Sequence, residues 1–178
     1  MRLFGKVDGV IDRFDRAEWL SPPFDGAWGE GTAPSRVARF VKIAAAVASE
    51  LNGTSFAMPF TAMRAYRPVF SLPELETLRV TVMPREYKGT PQTRGKDQYD
   101  YQIDVAVQKK IDLDTVKEGD ALMALVEEIQ THFRGGRLAA YEGAAWVKAA
   151  NDPAYVPEHI DQRKVFTSVA TLTYRVLG

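Results

Sequence analysis

The longest run of strict two-residue alternation lies between Gln98 and Lys109. Tyr99, Tyr101, Ile103, Val105 and Val107 fall on one side, and Asp100, Gln102, Asp104, Ala106 and Gln108 on the other. Successive side chains of a strand point to opposite faces, so this run predicts a strand with one buried and one wet face, as an antiparallel sheet allows. The C-terminal stretch repeats the pattern with many β-branched residues: Phe166, Ser168, Ala170, Leu172, Tyr174 and Val176 alternate with Val165, Thr167, Val169, Thr171, Thr173 and Arg175. Leu78, Val80 and Val82 alternate with Arg79, Thr81 and Met83 up to Pro84, which is expected to stop that strand. Ser55 to Tyr66 is strand-like, with an edge or bulge expected at Pro59, and Ala144 to Ala149 predicts a short strand around Trp146.

Two segments carry the helical period instead. Val37, Phe40, Val41, Ala44, Val47, Ala48 and Leu51 recur at three- and four-residue spacing behind a start signal at Pro34-Ser35. Asn52-Gly53 is expected to end this helix, because both residues tolerate the left-handed conformation favoured there. A second helix is predicted from Thr115 to Arg134, with Leu122, Leu125, Val126, Ile129 and Phe133 inward and Gly135-Gly136 as its stop. A turn at Leu72 to Leu75 and a polar, proline-containing loop from Asn151 to Lys164 complete the connections. The order helix, three strands, helix, two strands shows no internal repeat. It predicts one α+β domain over residues 34–178: a mixed, mostly antiparallel sheet of four to five strands flanked by two helices.

Residues 1–33 depart from this pattern and form an N-terminal arm or extension. Val7, Ile11 and Phe14 fit one face of a short helix or ribbon. The stretch from Trp19 to Gly31 then crowds prolines and glycines around Trp19, Phe24 and Trp28. Proline and glycine at this density forbid a regular element, while three large aromatics are unusual in a free linker. Two readings are open: a loop folded back onto its own domain, or an arm that buries the three aromatics against a neighbouring subunit.

Composition narrows the function classes. At 178 residues, 46% hydrophobic and 26% charged, the chain is an ordinary globular one with enough apolar material for a sizeable core. Its 23 basic and 23 acidic residues cancel, so no global electrostatic pull toward nucleic acid or membrane is expected. The absence of cysteine excludes a disulfide framework, a thiolate metal site and a cysteine nucleophile together. Charges interrupt every apolar run in the first 15 residues, so no secretory signal is read there, and no stretch approaches the roughly 20 apolar residues of a membrane span. The sequon at Asn52-Gly53-Thr54 is accordingly read as a turn.

Catalytic motifs fail one by one. The two histidines, His132 and His159, have no serine or acid at a recognisable motif spacing, and His132 is read as a cation suited to a helix C-terminus. Asp112-Leu113-Asp114 precedes a helix and is read as a cap rather than a metal site. Gly89 to Lys96 resembles a phosphate loop, but five residues separate its glycines, Asp97 follows Lys96, and a strand rather than a helix comes next. From Arg85 to Lys96 this segment holds Arg85, Lys88, Arg94 and Lys96 against Glu86 alone. It is expected to be a long hairpin loop, either mobile or in contact with a partner subunit or a nucleic-acid backbone. No catalytic, cofactor or metal residue is assigned.

The stretch Arg79-Val80-Thr81-Val82-Met83-Pro84, the basic segment, and Asp100-Tyr101-Gln102-Ile103-Asp104-Val105-Ala106-Val107-Gln108-Lys109-Lys110 together resemble the tail-terminator (tail-completion) neck proteins of tailed bacteriophages. The resemblance covers residues 34–178 at the level of element order. It implies a virion structural protein of the head–tail junction, assembled in the host cytoplasm. Such proteins form a ring, usually hexameric, that caps the tail tube, ends its polymerisation and joins it to the head connector, with DNA only as cargo. The segments 85–96 and 151–164, the latter with Tyr155, are then candidate ring faces, and Asp100 and Asp104 candidate lumen-facing groups. Alternatives are another neck, head-completion or tube-like subunit, and an enzyme or small-ligand binder using residues scattered over the sheet.

Overall fold

The computed structural model describes residues 37–93, 96–112 and 116–178. Trp19, Phe24, Trp28, Arg94, the helix-start signal at Pro34-Ser35 and the cap residue Asp114 lie outside them. Helix α1 (Arg39–Gly53) leads into a short strand β1 (Ala62–Arg64) and a 3-10 turn (Glu74–Glu76). Strands β2 (Arg79–Thr93) and β3 (Lys96–Lys110), helix α2 (Val116–Phe133), strands β4 (Arg137–Leu138) and β5 (Tyr141–Ala150), helix α3 (Pro157–Arg163) and strand β6 (Val165–Leu177) follow. The chain is thus an α+β protein, with one six-stranded sheet ordered β1-β2-β3-β6-β5-β4. Among the described strands only β1 and β2 pair in parallel; the other neighbours are antiparallel.

One sheet face carries the core. Ile103 pairs with Leu172 and Val105 with Ala170 on the two central strands, and their side chains are buried with Val80 and Val82 of β2. Helix α1 covers them with Ile43, Val47 and Leu51, and α2 with Leu122, Leu125, Val126, Ile129 and Phe133, in one continuous cluster. These are the inward positions that the two periodicities predict, because burial of one face is what imposes a period on the sequence. Tyr174 lies in the same layer; burial pushes its phenol far up, and its hydroxyl has no hydrogen-bond partner among the described residues.

Helix ends follow local chemistry. Gly135 takes the left-handed conformation, φ 72°, just beyond α2, as expected. At the end of α1 the expectation fails: Thr54 closes the helix in an extended conformation, φ −107°, and its hydroxyl donates to the Glu50 carbonyl at 2.9 Å. Asn52 is committed to the sheet edge. Its amide nitrogen donates to the Ala62 carbonyl at 3.0 Å, and its oxygen accepts from the Ala62 N–H at 2.7 Å. The 3-10 turn is entered through Ser71, whose N–H and hydroxyl both donate to Glu74 at 2.8 and 2.7 Å, reaching back as in a capping box.

Four expectations are corrected. The sheet has six strands, not four to five, because β4, at two residues, is too short to leave a period. Of Ser55 to Tyr66 only Ala62–Arg64 is strand. The polar loop 151–164 contains α3, a third helix, started by Pro157 in its first turn. Most consequentially, Pro84 does not stop β2, and most of the segment 85–96 is ladder rather than loop.

Candidate assembly surfaces

Strands β2 and β3 form a hairpin paired from Arg79↔Gln108 to Thr93↔Lys96, with irregularities after Pro84 and Pro91. β6 borders β3 as far out as Gln98. On the opposite side β1 covers β2 only at Val80, Thr81 and Val82. From Pro84 to Thr93, a length of about 30 Å at strand rise, this edge of β2 has no strand beside it among the described residues.

The register fixes which backbone groups face outward. The Val82 carbonyl accepts the Ala65 N–H at 3.0 Å, away from β3. Alternation, stepped across the bulge, then turns Pro84, Tyr87, Gly89 and Pro91 outward as well. Proline has no N–H, so of these four outward positions Tyr87 and Gly89 are the ones that offer a donor. Proline on an edge strand costs no ladder bond and blunts indiscriminate pairing. This explains why a segment with two prolines is strand.

The basic residues of the segment are partly matched. Arg85 lies 3.5 Å from Asp104 and 3.3 Å from the Thr171 hydroxyl, and Lys88 lies 3.5 Å from Glu86. Lys96 is exposed at the start of β3. An aromatic cluster joins the hairpin to α1. Tyr87 stacks on Tyr101 at 5.7 Å, Phe40 of α1 meets both at 6.1 and 5.6 Å, and Tyr99 lies 6.4 Å from Tyr101. Gly89 sits opposite Tyr99, where an added Cβ would stand 3.1 Å from the ring. Glycine there lets the ring lie across the neighbouring strand.

Asp100 and Asp104 lie on the sheet face away from the core, as the alternation requires, but neither is an unpaired charge. Arg175 donates from Nε and Nη2 to Asp100 at 2.7 and 2.9 Å. The Thr171 hydroxyl donates to Asp104 at 2.6 Å. Both sit in cross-strand pairs set by the β3–β6 register, in which Asp100 opposes Arg175 and Asp104 opposes Thr171.

The Arg175 hydrogen bonds hold the Asp100 carboxyl below the usual carboxylate range, against a smaller opposing effect of burial. A carboxyl lowered in the folded state stabilises above its unfolded pKa, and that contribution fades as pH falls through the lower folded value. The melting-temperature gap between wild type and Asp100→Asn should therefore be widest near neutrality and narrow as the pH falls below the ordinary aspartate range. A gap unchanged between neutral and acid pH would show that the pair contributes nothing.

The segment after β5 is pinned to β6. Tyr155 stacks on Phe166 at 6.3 Å, the Val156 N–H donates to the Thr167 carbonyl at 2.9 Å, and the Ser168 hydroxyl donates to the Ala154 carbonyl at 2.6 Å. His159 Nδ1 lies 3.0 Å from the Thr167 hydroxyl. His132 stands in the last turn of α2, as its sequence position predicts, with Nε2 3.3 Å from Glu50. The Asp112 N–H donates to Glu118 at 3.4 Å, and Glu118 in turn pairs with Lys109. Of the glycine-rich segment, Gly89–Thr93 lies in β2 and Lys96 opens β3, so a strand and not a helix follows.

Sequence reasoning missed one surface. Met63 of β1 and Tyr66, Val69 and Leu72 of the connection that leads to the 3-10 turn are all exposed. Their three-residue spacing, 63, 66, 69 and 72, is the signal that was present. Two of the open grooves lie against α2. One of about 400 Å³ lies between α2 and β5, lined by Glu127, Arg134, Trp146 and Lys148; the Trp146 indole N–H has no partner among the described residues. The other, about 330 Å³, lies between the start of α2, Tyr155 and α3. No described helix is long and apolar enough to cross a membrane. No protein-family model matches the chain, and none of the curated proteins matches it.

Proposed function

We propose that this chain is a structural subunit of a ring at the head–tail junction of a tailed bacteriophage, six copies by the family resemblance. There it caps the tail tube, ends its polymerisation and joins it to the head connector. The observation that carries the reading is the β2–β3 hairpin. Two fifteen-residue strands run outward from the covered sheet, with an edge blunted by Pro84 and Pro91 and with outward donors at Tyr87 and Gly89. An arm of this kind suits limited, specific contact with another subunit, because two donors support a short register and little else. On this reading homo-oligomer contacts close the ring, tail-tube and connector proteins meet its two faces, and DNA passes as cargo. The Asp100–Arg175 and Asp104–Arg85 pairs offset both carboxylates, giving the sheet face a near-neutral surface that neither grips nor repels a phosphate backbone strongly.

Light scattering of the purified protein should give a ring-sized mass, alone or after addition of tail tubes, and electron microscopy should show tubes of set length ending in that ring. A strictly monomeric protein at high concentration that leaves tube length unregulated would sink the reading.

A further inference from the structure

The described surface holds two unpartnered apolar features of opposite charge, and we propose that they meet between neighbouring copies of the chain. The proposal rests on the ring reading and names its contact. The first feature is a ridge. Tyr66, Val69 and Leu72 are 70%, 76% and 49% exposed, and from Met63 to Ser71 the charged residues are Arg64 and Arg67, with no acid among them. The Arg64 guanidinium lies 5.6 Å from the centre of the Tyr66 ring. The second feature is the groove of about 330 Å³, with Met123, Ile160 and Phe166 as apolar lining and Asp112 and Asp120 as acidic members. Val116 and Tyr155, which also line it, are exposed.

Three apolar side chains flanked by two cations thus match in kind an apolar trough flanked by two carboxylates. Exposed apolar clusters are costly in water unless they mark a contact, and opposite charge selects the partner and the orientation. A two-fold contact of ridge on ridge would bring four arginines together, so it is disfavoured. Ridge into groove uses two different patches of the same chain. That makes the contact heterologous, the type that closes into a ring when its rotation closes. The occupant of the groove is accordingly the Arg64–Leu72 ridge of the next copy.

The chain contains no cysteine, so single introduced thiols report proximity cleanly. Mixed Tyr66→Cys and Tyr155→Cys chains should give a disulfide-linked dimer on mild oxidation, beyond what either variant gives alone. Independently, Arg67→Glu and Asp120→Arg should each weaken association by about tenfold or more, with melting temperature little changed. Combining both in one chain should recover association. Rings that form without the 66–155 link and ignore Arg67→Glu overturn this contact and leave the ring reading standing. A link from position 155 to Trp28→Cys in place of Tyr66→Cys identifies the N-terminal arm as the occupant and overturns it equally. A wild-type chain that stays monomeric overturns both.

Discussion

Cutting the outer half from the β2–β3 hairpin, by joining Lys88 to Asp100 through an Asn-Gly turn, should leave a folded protein that no longer assembles. Lys88 and Asp100 are cross-strand partners, so a two-residue turn can close between them without shifting the ladder. The cut keeps the Tyr87–Tyr101 stack and the Asp100–Arg175 pair. It removes the Gly89 donor, Lys96 and the outer five residues of β2, all of them exposed. It also takes away Tyr99, which packs against the core cluster. Removing one half-buried aromatic should cost about 1–2 kcal/mol, lowering the melting temperature by about 2–8 °C for a chain of this size. Light scattering should read a single-chain mass where the wild type reads a ring. A shortened chain that still forms rings and still ends tubes would exclude the hairpin from assembly.

The second large effect is on stability. Leu172→Ala should cost about 2–5 kcal/mol, the range for emptying a well-packed leucine site. Leu172 is fully buried on a central strand, opposite Ile103, which is equally buried, with helices over both. Five residues along the same strand, Leu177 is 71% exposed, and Leu177→Ala should change stability by no more than about 0.5 kcal/mol. Thermal or urea unfolding of the two variants side by side tests the orientation of β6. Equal effects would mean that the assigned inward face is wrong.

Leu172 and the hairpin differ in how far the sequence reveals them. The face that buries Leu172 was legible from alternation alone, and so were α1, α2, β3 and most of β6. In the two helices one side is covered and the other is wet, so burial selects residues at the period of the backbone. β6 and the inner part of β3 are buried on both sides, and there the period survives because large apolar residues fill the core side while smaller and polar ones fill the other. The hairpin was not legible in the same way. Pro84 and Pro91 read as strand stops, because local sequence cannot tell whether a missing N–H would have faced a neighbouring strand or open solvent. That is decided by β1 ending at Arg64 and leaving the rest of the β2 edge uncovered. The Asn151–Lys164 segment read as loop because α3, at seven residues with none of them buried, has no apolar face to imprint a period.

The candidate sites divide along the same line. That Asp100 and Asp104 share the face away from the core follows from counting by two. That they are paired rather than bare depends on residues 75 and 67 positions away, brought opposite by the β3–β6 register. The Tyr66–Leu72 ridge left a three-residue spacing in the sequence, but its exposure and the acid-lined groove of matching kind exist only once the chain is folded. By itself, then, the sequence determined the covered sheet, its inward faces and the two long helices, because each is written in local periodicity. The tertiary structure alone decided where the edges lie, which charges are matched and which apolar side chains remain uncovered, because those depend on neighbours distant along the chain.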